Sequence, residues 1–249
     1  MITHEIYSRV RNGICAIGYL TEPLKVYLEN MDKPIFQVIG TGFLIEETLV
    51  LTNRHVINDL LDDDKTNFVP NTQLFIQFVV PYQGSNLQIV PRMIREVSWL
   101  DHPKLDLGFI KYKTVHEAHF VAIQPLVVSE QWDLKVTESI AVCGYPYGTT
   151  ILNRDIYQRW GPIVQQGNIS AISPFDTTAT PDEILSDVRT APGMSGAPIF
   201  RPDDGKVIGV HYAGIKREAT IAFGIPITQA MISDALTKYQ LNLTILNEG

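Results

Sequence analysis

Short apolar runs broken by Gly, Pro and Asp clusters recur along almost the whole 249-residue chain, and they commit it to β-structure. The runs are Gly13–Leu20, Phe36–Ile39, Gly42–Ile45, Thr48–Thr52, Gln73–Val80, Leu87–Ser98 and Leu107–Tyr112. A second set follows: Ser139–Cys143, Ile163–Ile172, Ile184–Arg189, Ala197–Arg201, Val207–His211 and Ile221–Ile225. Their length and punctuation predict an all-β barrel or sandwich. Asp203-Asp204-Gly205 between two runs is a hairpin turn, because Asp-Gly tolerates positive φ. Lys113–Pro125 has weak patterning and reads as a crossover, so two halves are expected, 1–118 and 119–249. The period changes only near the end. Ile227, Ala230, Met231, Ala235, Leu236 and Tyr239 fall on one face of a helix.

Composition removes several functional classes. Hydrophobic content is 45%, charged content 19% and net charge −7, so neither nucleic acid nor an anionic membrane surface is favoured as a partner. Asp62-Asp63-Asp64 reads as a solvated loop rather than a metal site. Cys15 and Cys143 form no C-x-x-C pair, which leaves a zinc site unsupported and fits buried packing residues or a reducing compartment. The longest N-terminal apolar run, Ile14–Leu20, is too short to span a membrane and makes no convincing signal peptide. A cytoplasmic location is the expectation. The oligomeric state stays open.

The segment Ala191–Pro198, A-P-G-M-S-G-A-P, places Ser195 among glycines and prolines, where a sharp turn exposes a hydroxyl. A serine becomes a nucleophile when a base removes its proton and donors hold the resulting oxyanion. Gly193 and Ser195 each offer a backbone N–H for that second task. His55 is the best placed base, at the end of the run Thr48–Thr52 and before a brief helical pattern, Val56–Leu61. Gly42–Ile45 is expected to pair with Thr48–Thr52 through a tight Glu46-Glu47 connection. Asp106 in L-D-L-G-F-I is the carboxylate candidate, since an acid among apolar residues needs a partner. Asp101-His102-Pro103 reads instead as an exposed turn, with Asp101 the runner-up.

T-N-R-H at 52–55, L-D-L-G at 105–108 and P-G-M-S-G-A-P at 192–198 together resemble the trypsin-like, chymotrypsin-fold serine peptidases. The order His, Asp, Ser is that family's order. Gly40-Thr41-Gly42-Phe43-Leu44-Ile45, Thr52-Asn53-Arg54-His55-Val56 and Cys143–Gly148 are most similar to the bacterial branch that holds the HtrA/Deg and glutamyl endopeptidases. The resemblance implies two six-stranded antiparallel β-barrels with a C-terminal helix and a cleft site between the barrels. It implies His55 and Asp106 in the first half and Ser195 in the second, with Gly193 and Ser195 as the oxyanion hole. The implied function is a serine endopeptidase that acts on protein or peptide substrates and needs no cofactor.

The same resemblance makes Gly209–Gly214 a wall of the substrate pocket. Thr190, His211, Tyr212 and Ala213 are then pocket residues, and His211 implies cleavage after Glu or Gln. Arg189 stands where a basic preference would want a carboxylate. Met194 departs from members that carry an Asp before the serine, so the ion pair with a freed N-terminus is excluded.

Three alternatives compete. A binding or regulatory module on an inactive protease fold is the main one. An α/β-hydrolase needs G-x-S-x-G on an elbow with Ser first in chain order, and Gly193–Ala197 lacks the second glycine. His116-Glu117-Ala118-His119 lacks the H-E-x-x-H spacing of a zinc peptidase.

Overall fold

Strand β1 (Ile14–Leu20) is hydrogen-bonded on both sides, to β2 (Phe36–Glu46) and to β4 (Gln73–Tyr82), and from it the first barrel is built outward. β2 turns into β3 (Leu49–Thr52), which pairs with β6 (Gly108–Tyr112). β5 (Asn86–Trp99) closes the circuit with its two halves. Asn86–Met93 pairs with β4, and Ile94–Trp99 pairs with β6 after a register shift. The second barrel contains β7 (Ser139–Gly144), β8 (Ile163–Ser173), β9 (Glu183–Ser186), β10 (Pro198–Phe200), β11 (Val207–Gly214) and β12 (Ala222–Pro226), closed in the order β10-β11-β12-β9-β8-β7. Both barrels are antiparallel and six-stranded. The computed structural model describes residues 2–30, 35–61, 73–82, 86–113, 123–148, 161–215, 221–238 and 244–245.

Many strands are buried on both faces, which explains why their sequences are nearly continuous apolar runs. In β1, Cys15 and Ile17 belong to the core of the first barrel, while Ile14, Ala16 and Leu20 join a second cluster. In β7, Ile140 and Val142 face the core of the second barrel, whereas Ala141 and Cys143 join that same shared cluster. The shared cluster, with Phe43, Leu51, Phe109, Phe200 and Val210, packs the two barrels against each other. Cys15 and Cys143 are both buried and unpaired.

Four helices accompany the barrels among the described residues. α1 (His4–Asn12) starts at Thr3, whose hydroxyl accepts from the Ile6 N–H at 3.3 Å. It lies against the second barrel: Tyr7 Oη donates to Pro162 O at 3.0 Å, and Arg9 Nη2 donates to Asp204 O. α2 is Leu24–Glu29, α3 is Arg54–Asn58 and α4 is Gln229–Lys238. Beyond α4, β13 (Thr244–Ile245) returns to the first barrel and pairs with β5.

Several boundaries differ from the sequence expectation. Phe36–Ile39 and Gly42–Ile45 form one strand, β2. The glycines between them do not end the strand but admit neighbours: a Cβ at position 40 would meet Val56 at 2.7 Å, and one at 42 would meet Val50 at 2.5 Å. β9 stops at Ser186, after which the Asp187 N–H still donates to Asn168 O at 3.2 Å but its carboxylate, not a backbone carbonyl, accepts the Asn168 N–H at 2.6 Å. β11 runs on to Gly214 past a bulge between His211 and Ala213. The brief helix at 56–61 begins earlier, at Arg54. Neither α1 nor α2 is foreshadowed by the strand pattern. Gly205, in the expected hairpin turn, has φ of 72°. Asp62–Asp64, His116–His119, the boundary at 118/119 and Tyr239 lie outside the described residues.

Candidate active site

The end of β3 and the start of β6 are neighbours in the first barrel, and this places a histidine beside a carboxylate. Thr52 closes β3 and pairs with Gly108. The next residues turn into α3, so His55 rises from the barrel rim over the segment that precedes β6. Asp106 holds both parts of His55. Its Oδ1 accepts the His55 backbone N–H at 2.9 Å, and its Oδ2 lies 2.5 Å from Nδ1. Its backbone oxygen accepts from Asn53 Nδ2 at 2.9 Å and from the Arg54 N–H at 3.3 Å.

An ionised carboxylate only accepts, so the proton of a neutral His55 ring resides on Nδ1 and Nε2 carries the lone pair. Burial pushes the Asp106 carboxyl up. The hydrogen bond and charge of the His55 ring, the His55 N–H and Arg54 more than offset this and hold it below its ordinary value of 3.8. The imidazole is thus fixed in orientation and tautomer, with its basic nitrogen free. Asp101 is far more exposed, at 90% of its side chain, and meets the Arg54 guanidinium at 3.6 Å.

The second barrel supplies Ser195 from the loop between β9 and β10. Every peptide group leading into it is anchored. Pro192 O accepts from the Tyr147 N–H at 2.6 Å, Gly193 O accepts from Thr41 Oγ1 at 2.7 Å, and Met194 O accepts from the Ala197 N–H at 2.9 Å. Ser195 O accepts from the Thr41 N–H at 2.8 Å. Met194 N–H is used as well, on Ala191 O at 3.1 Å. The N–H groups of Gly193 and Ser195 donate to nothing among the described residues. In a trans peptide the N–H points opposite the C=O. Anchoring Pro192 O and Met194 O therefore also sets the directions of these two N–H groups. Gly193 has φ of 95°, and a Cβ there would lie 2.4 Å from Tyr145 O, so only glycine serves.

Ser195 Oγ donates to Tyr212 O at 3.5 Å and makes no hydrogen bond to His55. Tyr212 also donates its phenol to Glu183 Oε1 and, with Asp106, lines a cavity of about 670 Å³. On the other side of the nucleophile loop, Thr190, Arg189, Met194, Tyr147 and Ile215 line a cavity of about 430 Å³. Gly214 lies beside Thr190, since a Cβ there would meet its Oγ1 at 2.6 Å. Ala213 is half-buried at the bulge of β11. His211 is only 3% exposed, and its Nδ1 lies 3.0 Å from Phe223 O. Its backbone joins the nucleophile loop to β11, with its O accepting the Gly196 N–H at 2.8 Å and its N–H donating to Ala197 O at 2.9 Å.

The residues that steady the loop, Thr41, Tyr145 and Tyr147, have no assigned role in the sequence reading. They act mostly through backbone groups, and their sole mark in the sequence is their place between glycines in G-T-G-F and C-G-Y-P-Y-G.

Residues 40–210 match the family described as Trypsin-like peptidase domain. The glutamyl endopeptidase of Staphylococcus epidermidis is 24% identical over 225 residues, which cover 85% of this chain and 64% of that protein. The chain therefore spans less than two thirds of that relative's length. Among solved structures, Deg5 superposes with a TM-score of 0.62 at 20% identity, over 94% of this chain and 93% of Deg5. The active form of the Rv3671c protease from M. tuberculosis gives 0.58 at 18% identity, over 98% and 86%.

Proposed function

The chain belongs to the trypsin-like peptidase domain family, and from that premise we propose that it is a serine endopeptidase working through Ser195, His55 and Asp106. The observation that carries the reading is the two-pronged grip of Asp106 on His55, which leaves the lone pair on Nε2, in a helix that adjoins the Ser195 loop: a Cβ on Gly40 would lie 2.7 Å from Val56 and 3.2 Å from Ser195 O. To react, the Ser195 hydroxyl turns from Tyr212 O to His55 Nε2, an adjustment in keeping with the loose catalytic hydrogen bonds of unliganded sites. Nε2 takes the proton as Oγ bonds to the substrate carbonyl carbon. The new oxyanion is held by the N–H groups of Gly193 and Ser195. His55 then protonates the leaving amine as the C–N bond breaks, and water hydrolyses the acyl-enzyme by the same route. Each step is a proton transfer or a carbonyl addition, so this mechanism uses no cofactor.

For specificity, cleavage after Glu or Gln is the proposed preference, with Thr190, His211, Tyr212 and Ala213 around the substrate side chain. The name of the S. epidermidis relative, glutamyl endopeptidase, supports it. The ring of His211 adds a condition. A carbonyl oxygen only accepts, so Nδ1 donates to Phe223 O. Nε2 then carries a proton only in the imidazolium. Burial drives the ring down to about 4, against the pull of the Phe223 bond. A neutral His211 suits the N–H of a Gln side chain. A Glu carboxylate requires the cation, which the carboxylate itself favours. The ratio of Glu to Gln cleavage therefore rises as pH falls. A ratio that stays flat from about pH 8 down through pH 4, the value near which burial places the ring, removes His211 from this role.

The inactive binding module remains the second reading, because Ser195 Oγ rests on Tyr212 O rather than His55. A peptidyl phosphonate separates the two. Covalent labelling of the wild type, abolished in Ser195→Ala together with peptide hydrolysis, is expected for the enzyme. No labelling and no hydrolysis overturns the proposal.

A further inference from the structure

Thr41 joins the first barrel to the two peptide groups that follow the N–H groups of the proposed oxyanion hole, Gly193–Met194 and Ser195–Gly196. It lies in β2, fully buried at 0% exposure. All its polar groups are engaged. Its N–H donates to Ser195 O at 2.8 Å, and its O accepts from Thr52 Oγ1 at 2.7 Å. Its hydroxyl donates to Gly193 O at 2.7 Å and accepts from the Tyr145 N–H at 3.1 Å. Thr52 in turn ends the strand that carries His55. The two backbone bonds of Thr41 are available to any residue at this position; the two hydroxyl bonds are not. The site is shaped for that hydroxyl, since a Cβ on Gly144 would come within 2.9 Å of Oγ1.

We propose that the Thr41 hydroxyl is a positioning group for the oxyanion hole. It fixes the Gly193–Met194 peptide by its C=O and couples it to the Tyr145–Gly148 turn. That turn holds the preceding peptide, through the Tyr147 N–H on Pro192 O at 2.6 Å. Gly193 is therefore pinned on both sides. This matters because glycine at φ 95° has no side chain to limit rotation of either peptide. Without the hydroxyl, Gly193 O and the Tyr145 N–H lose their partner in a buried space, and turning the peptide toward another partner becomes favourable. The first barrel thus contributes to oxyanion stabilisation as well as to the base.

The inference rests on the proposed peptidase reading, and its test is separate. Hydrolysis by the wild type that disappears in Ser195→Ala settles the reading first. Thr41→Val then removes the hydroxyl at nearly constant shape, and Thr41→Ser retains it. In Thr41→Val, kcat is expected to fall roughly 10- to 100-fold with KM within about twofold, short of the 10²–10³ lost when an oxyanion donor itself is removed. Affinity for a peptide aldehyde, which adds to Ser195 and places an oxyanion in the hole, falls by a similar factor. Affinity for the matching peptide alcohol, which cannot add, is unchanged. Thr41→Ser stays within about threefold of wild type on every measure, because the donor is kept. A Thr41→Val enzyme with wild-type kcat and aldehyde affinity overturns the proposal, as does equal loss of aldehyde and alcohol affinity. Where Thr41→Val does not fold, Thr41→Ala is read by the same measures. Failure of both to fold, with Thr41→Ser folded, makes the hydroxyl structural and also overturns it.

Discussion

The two barrels hold their halves of the site by different physics. The first fixes His55 with a charge: an ionised Asp106 grips ring and backbone together. Ser195 and the N–H groups of Gly193 and Ser195 are fixed by neutral hydrogen bonds to peptide carbonyls, from Tyr147 and Ala197 of the second barrel and from Thr41 of the first. The His55 side is therefore sensitive to charge, and the Ser195 loop to shape. A charged side chain specifies one half; neutral hydrogen bonds around a glycine without a side chain specify the other.

The contrast is tested most severely by Asp106→Asn. The amide keeps the size but presents a donor where Nδ1–H needs an acceptor, which favours the wrong tautomer. Turnover near neutral pH should fall about 10⁴-fold, measured as kcat on a peptide substrate. A loss of less than tenfold breaks the account of the first half.

Gly193→Ala probes the second half. The methyl group meets Tyr145 O at 2.4 Å and forces the loop out of place. A fall of roughly 10²–10³ in kcat is expected. Intact kcat in a folded Gly193→Ala protein breaks the claim that the loop is set by shape.

Stability against pH separates the halves more gently. A carboxyl held below its ordinary value stabilises the fold above the unfolded-state value, near 3.8, and loses this as pH falls through the folded-state value. The melting temperature of the wild type should therefore drop more steeply with acidification below about pH 4 than that of Asp106→Asn, since the amide does not titrate. Parallel curves contradict the assigned role of the carboxylate charge. The smallest effect is expected for Asp101→Asn. Its carboxylate is 90% exposed and meets Arg54 at 3.6 Å, so kcat and stability should change by no more than about 0.5 kcal/mol equivalent.

The same division explains what the sequence makes legible. Strand runs are visible because burial on one or both faces selects apolar residues, as in β1 and β7. His55, Asp106 and Ser195 stand out because their side chains are of the types that the proposed mechanism needs. Barrel closure is hidden, because it depends on the halves of β5 pairing with different strands across a register shift. β2 reads as two runs because Gly40 and Gly42 suggest breaks, whereas their role is to admit Val56 and Val50. α1 carries one fully buried residue, Val10, and owes its place to tertiary contacts with Pro162 and Asp204. Thr41 is hidden for a related reason: most of its partners are backbone atoms, and backbone atoms are alike at every position.

The ends of the chain cross between the two barrels. The chain passes from α1 on the second barrel to β1 in the first, returns between β6 and β7, and comes back when β13 joins β5. The first barrel thus holds residues from both ends of the chain, which ties the far C-terminal residues Thr244 and Ile245 to Val97 and Glu96 of β5.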